Sequence, residues 1–235
     1  MKLQDCTLGQ VQDYLKEGPG GLIIPIGTCE QHGYHLPLGT DTLVAERLAE
    51  ACSARTGLLI APTLSYGVNL PLDRTMAGTA SLTQELLHGQ LEALLSWWRS
   101  QGFQFFILLT CHGDPFHLMA LDGLGADTLY VEPEGDLELG GVLDTQVCIR
   151  HACEGETSLA LYLFPERVRL SWARTHDIPY KDFRPYLFHE ASGQPEGYVG
   201  SLGHPEAATA QKGQIIWTRM VERLLAQYQA FRRSL

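Results

Sequence analysis

At 235 residues, with 45% hydrophobic and 19% charged positions, the chain has the composition of a globular protein and the length to bury a full core. Its 17 Lys and Arg against 27 Asp and Glu leave a formal charge of -10, which repels phosphate backbones and anionic lipid and sets aside nucleic acid and membranes as partners. No export signal opens the chain, and the longest apolar runs (22–26 and 105–109) are far short of a membrane span. Six cysteines at irregular spacing, with no CxxC pair, then read as reduced thiols of a cytoplasmic protein.

Residues 21–27 (GLIIPIG), apolar and bounded by glycines, predict a buried strand. A loop runs to Thr40, and residues 41–55 then carry apolar positions at helical spacing. A second strand is expected at 58–64, and an amphipathic helix at 83–101 with Ser81 or Thr83 as cap and Gly102 as stop. An apolar strand at 103–110 leads through a polar loop to a helix near 116–125. Strands are expected at 128–131 and 142–150, and helices at 156–163 and 212–233. This alternation predicts one α/β domain over residues 1–235, with a mostly parallel sheet covered on both faces. Ligands in such folds bind beyond the carboxyl ends of the strands. The aromatic-rich segment 170–200, with Trp172, Tyr180, Phe183, Tyr186 and Phe188, is a candidate lid or subunit contact.

Three clusters of chemically active residues fall where that rule puts a ligand. Glu30, His32, His35 and Asp41 crowd into twelve residues after the first strand. Glu30 and His32, two apart, point to the same side of an extended backbone. Cys111, His112 and Asp114 follow the 103–110 strand, and His151, Cys153, Glu154 and Glu156 lie at a strand-to-helix junction. Carboxylate oxygens with imidazole nitrogens suit Zn, Mn or Fe, and the three clusters together supply donors for two divalent ions. Cys29, Cys111 and Cys153 each adjoin a cluster; small buried residues are the better reading, soft ligands or a redox gate the alternative.

The run Glu30-Gln31-His32-Gly33-Tyr34-His35-Leu36-Pro37-Leu38-Gly39-Thr40-Asp41, preceded by Pro25 and Gly27, resembles the hallmark of the creatininase family. So do Tyr66-Gly67 with Gly78-Thr79-Ala80-Ser81-Leu82, the 151–158 run, and Gly203-His204-Pro205 with Lys212-Gly213. The resemblance covers almost the whole chain. It implies a three-layer α/β/α fold, a dinuclear amide-hydrolysing site that works through a metal-bridging hydroxide, and a homohexamer. By position, Glu30, His32, Asp41, His112 and Glu156 would bind metal, with Asp41 bridging. His151 would shuttle a proton, His35 and Glu154 would stand behind the ligands, and Asp114 is a further candidate for metal or substrate. Thr110-Cys111-His112-Gly113-Asp114-Pro115 departs from the usual Asn-Gly-His-Gly-Gly-Asn, and the Trp-Asp pair of creatinine-hydrolysing members is missing. The expected substrate is therefore another small or cyclic amide. A formamide, a short peptide trimmed by the enzyme, or an inactive ligand-binding relative are the alternatives.

Overall fold

The computed structural model describes residues 1–135, 137–176, 180–187 and 193–235. Four parallel strands, β1 (Gly21–Ile26), β2 (Leu59–Ile60), β3 (Phe105–Thr110) and β4 (Thr128–Val131), form a sheet in the order β2-β1-β3-β4. β1 and β3 are central and buried at every position, which is why each reads as an unbroken apolar run.

Side-chain alternation along the strands divides the core in two. Ile23, Phe105, Ile107, Leu109 and Val131 face α2 (Thr40–Thr56), α5 (Glu154–Leu163) and α7 (Ala210–Ser234). Leu22, Ile24, Ile26, Phe106 and Leu108 face α1 (Leu8–Glu17), α3 (Gln84–Ser100) and α4 (Pro115–Leu121). The result is the expected three-layer α/β/α arrangement. No helix among the described residues is long and apolar enough to cross a membrane.

Caps set the helix ends. Thr83 accepts the Leu86 N–H at the start of α3, and Asp114 caps α4 ahead of Pro115. The α1 helix, which the sequence pattern did not single out, begins with a reciprocal Thr7–Gln10 capping box. A further helix, α6 (Tyr180–Leu187), lies within the aromatic-rich segment; Phe188 is outside the described residues.

Two expected strands come out differently. The 58–64 segment keeps only β2, because after Ala61, whose N–H still donates to Ile23 O at 2.8 Å, the pairing with β1 slips by one residue. The chain returns to β1 one step later, where the Leu64 N–H donates to Pro25 O at 3.0 Å and the Gly27 N–H to Leu64 O at 2.8 Å. Residues 142–150 form turns instead of a strand. Their backbone N–H groups are taken locally: Val142 and Leu143 donate to Leu139 O, and Asp144 and Thr145 to the Glu154 carboxylate.

Candidate metal centre

The loop after β1 folds back on itself through the Glu30 N–H to Leu38 O bond of 2.9 Å. Gly33, at φ 63°, makes the left-handed turn this requires. His32 Nδ1 lies 3.1 Å from the Glu30 carbonyl, which aims its Nε2 at Asp41 Oδ1 (3.1 Å) and Glu156 Oε1 (3.5 Å). His112 is held in the same way from another loop. Its Nε2 lies 2.9 Å from Val68 O, leaving Nδ1 3.2 Å from both Glu30 Oε2 and Asp41 Oδ2. In each case a backbone carbonyl fixes the ring so that one nitrogen faces two carboxylates, an arrangement typical of imidazoles that bind metals.

Glu156 enters from the first turn of α5, steadied by the Ala152 N–H donating to Oε2. Ala152 adopts φ 46°, a left-handed conformation that costs a non-glycine residue about 1 kcal/mol and that this bond helps to hold. His151, partly buried beside it, places its ring centroid 4.5 Å from that of His32 and its Nε2 2.7 Å from Gln31 Nε2.

Three overlapping groups of potential donors emerge, each with its ligand atoms within 4.8 Å of one another. They are Glu30–Asp41–His112, His32–Asp41–Glu156 and Glu30–His32–His151. The five residues expected as metal ligands are thus all brought together, and His151 comes within reach of the same centre. His35 stands behind it, Nε2 2.9 Å from Thr157 Oγ1. Asp114 Oδ1 accepts the Phe116 N–H at 2.7 Å as a helix cap, while its buried Oδ2 has no hydrogen bond and faces the cavity. Glu154 is occupied elsewhere: its carboxylate binds Asp144 N, Thr145 N and Lys212 Nζ, which ties the 144–145 turn to α7.

Electrostatics mark the cluster as short of positive charge. Burial opposes charge on His112, yet Glu30 and Asp41 beside it push the imidazole up to about 10. The same contest on His32, with Asp41 and Glu156 as neighbours, also ends well above the ordinary histidine value. Burial likewise works against Asp41, but the two imidazoles hold its carboxyl well below the usual range. Glu30 is pushed well up by burial. His151 goes the other way: burial, reinforced by repulsion from His32, lowers it to about 4. Burial raises the Cys153 thiol to about 12 and Cys111 well above its ordinary value, so both are neutral thiols at physiological pH.

Several participants were not legible as such in the sequence. The Gln31 amide oxygen accepts the Gly33 N–H at 2.9 Å, which turns its NH₂ toward Asp73 Oδ1 (2.7 Å) and His151 Nε2 (2.7 Å). Tyr198 OH donates to Asp73 Oδ1 at 3.2 Å. His117 is buried between Val68 N–H and Thr110 Oγ1, and Thr28 donates to Asp41 Oδ2 at 2.5 Å. Past β4, Glu132 accepts the Glu134 and Gly135 N–H groups at 2.8 Å each and shapes a turn that presents Glu134. Gln31 stood within a recognised motif; Asp73, Tyr198 and Glu134 had no local pattern to mark them.

Part of this arrangement lines a cavity of about 430 Å³, a volume suited to a small molecule. Glu30, Asp41, His112 and Glu156 form part of its wall, Phe183 and Tyr198 another part.

The creatinine amidohydrolase (creatininase) family model matches residues 4–228. A 3-dehydro-scyllo-inosose hydrolase of Thermotoga maritima is 29% identical over 89% of this chain and 78% of its own length. A mycofactocin precursor peptide peptidase of Mycobacterium ulcerans is 31% identical over 86% of this chain and 81% of its own. A crystal structure of creatinine amidohydrolase superposes with a TM-score of 0.81 at 23% identity, covering 97% of each chain. With its fold matched and its family model aligned nearly end to end, the chain belongs to the creatininase family of hydrolases.

Proposed function

We propose that this protein is a metal-dependent hydrolase that cleaves the C–N bond of a small or cyclic amide, using two divalent ions held by Glu30, His32, Asp41, His112 and Glu156. The observation that carries the reading is the buried donor set, in which Asp41 belongs to both the Glu30–His112 and the His32–Glu156 groups. The donors fit such ions. Three carboxylates with two pre-oriented imidazoles match Zn, Mn or Fe, and the closely spaced anions have only histidine protons to balance them. Bound there, the ions would supply a water nucleophile at neutral pH and polarise the substrate carbonyl, a contribution of several kcal/mol.

The chain's own residues account for the rest. Val68 O and Glu30 O fix the two imidazoles, and Thr28 fixes Asp41, so the donors need little reorganisation. His151, held neutral, is assigned the proton transfer from water to the leaving nitrogen. Its Nε2 accepts from the Gln31 amide, and Asp73 anchors that amide from behind.

Protein purified without chelator is expected to carry about two Zn, Mn or Fe ions per chain by elemental analysis. Metal depletion should abolish amide hydrolysis, and re-addition should restore it. A protein that neither contains nor takes up metal would refute the reading.

Metal binding should also be strongly pH-dependent. His32 and His112 keep their protons to high pH in the metal-free protein, and a cation must displace them. Apparent affinity should therefore rise by roughly tenfold per pH unit for each proton released as the pH climbs from about 6 to 8. Titration calorimetry in buffers of different ionisation enthalpy counts those protons; an affinity independent of pH would contradict the assignment. In the metal-free protein the raised His112 value stabilises the fold fully below the ordinary histidine value, and that contribution fades as the pH rises through about 10.

A further inference from the structure

The cavity is lined by more carboxyl groups than a metal pair would use. Glu30, Asp41 and Glu156 belong to the donor groups, but Asp73, Asp114, Glu132 and Glu134 also line the same space. Among the described lining residues Arg150 is the one Lys or Arg, and it is exposed. Most of the extra carboxylates are already engaged. Asp73 is taken by Gln31 and Tyr198, Asp114 caps α4 through one oxygen, and Glu132 braces its own turn.

Glu134 differs from these. It is 7% exposed, lines the cavity, belongs to none of the donor groups, and its carboxylate makes no hydrogen bond with the described residues. Its electrostatic neighbours are Glu156, Glu132 and Asp41, and more weakly His32, which puts it on the Glu156 side of the centre. A buried carboxylate without a partner is costly, and the cost is relieved by a proton or by a cation or donor arriving from outside. Pro133 and the two N–H bonds to Glu132 fix the turn, so the group is presented in place before any ligand enters.

We propose that Glu134 is a specificity-determining residue that receives a positively charged nitrogen of the substrate, so that the preferred amide carries an ammonium or guanidinium group at its far end. The inference rests on the hydrolase reading above, since it takes the cavity to be the substrate's. Charge-assisted hydrogen bonding to a preformed, largely desolvated carboxylate supplies the selectivity, and a neutral analogue would leave Glu134 unsatisfied.

The test compares two amides of nearly equal size on the zinc-loaded protein: γ-aminobutyramide, which ends in an ammonium group, and valeramide, which ends in a methyl. Calorimetric or NMR titration is expected to show about tenfold tighter binding of the cationic amide. Glu134→Gln should erase that preference with metal content and melting temperature unchanged. Equal binding of the two, failure of both to bind, or a preference that survives in Glu134→Gln overturns the proposal. Zinc uptake is measured first. A protein that binds no zinc defeats both readings, whereas a zinc-loaded protein that treats the two amides alike defeats this one alone.

Discussion

Replacing Asp41 by Asn should leave a folded protein that no longer holds the proposed metal pair and hydrolyses amides at least about 10³-fold more slowly. The side chain stands between the two histidines, Oδ1 3.1 Å from His32 and Oδ2 3.2 Å from His112. Glu30 also lies near both rings, but only Asp41 pairs one oxygen with each of them among the described contacts. The amide is nearly isosteric, and its oxygen can still accept from Thr28, so local packing survives. What goes is the negative charge shared by the two donor groups. A loss of roughly 4 kcal/mol in transition-state stabilisation corresponds to that thousandfold. Elemental analysis, turnover and the rise in melting temperature on adding zinc would each report the change, the last because a ligand that no longer binds no longer stabilises. Wild-type metal content and rate in Asp41→Asn would remove Asp41 from the centre.

The largest effect on stability is expected at Gly213, which is not itself one of the donors. This glycine lies where α7 crosses α5, and a Cβ built on it would meet Ser158 O at 1.9 Å and Tyr162 Cβ at 2.9 Å. Two effects of Gly213→Ala oppose each other. Alanine in a helix interior is favoured over glycine by about 1 kcal/mol. The contact is with backbone, so the two helices must separate, and overpacking of this kind costs typically about 1–3 kcal/mol and occasionally more. The clash should win, with a net loss of about 2 kcal/mol or more in chemical denaturation. Gly89 in α3 supplies the control: nothing lies within 4 Å of its Cβ position, so Gly89→Ala should stabilise by up to about 1 kcal/mol. If both substitutions moved stability in the same direction, helix propensity would outweigh packing at this crossing. Because α5 also carries Glu156, Gly213→Ala should weaken metal retention as well.

Much of the fold was legible because the central strands carry their burial in their composition. β1 and β3 are apolar throughout and bounded by glycine or polar loops, and α3 shows both its cap and its stripe. The 58–64 and 142–150 segments misled for separate reasons. In the first, the pairing with β1 slips by one residue after Ala61 in an otherwise strand-like run. In the second, the decisive partner is Glu154, a residue some ten positions away that captures the backbone N–H groups a strand would need. Local pattern carries no information about such a capture.

The centre divides along the same line. Glu30, His32 and Asp41 sit close together in the chain, and His112 and Glu156 follow recognisable element boundaries, so their chemistry could be gathered by inspection. Glu154, expected behind the ligands, directs its carboxylate to Lys212 and the 144–145 turn. Asp73 and Tyr198 reach Gln31 and His151 only through tertiary folding, from 42 and 167 positions away from Gln31. Glu134 depends on the turn made by Glu132, which has no meaning until β4 ends at the cavity.

The cavity wall has two origins. The donors are rooted in the ends of β1 and β3 and in α2 and α5, all packed into the core. Glu134, Phe183, Tyr198 and Leu202 come from connecting segments that lie outside the strands. Mutation in those segments changes the shape and charge offered to a substrate while leaving the candidate metal donors where they are. Over evolutionary time such an architecture lets the range of accepted compounds drift while the bond-breaking apparatus is conserved. Relatives named for an inosose and for a precursor peptide are the kind of divergence that this separation permits.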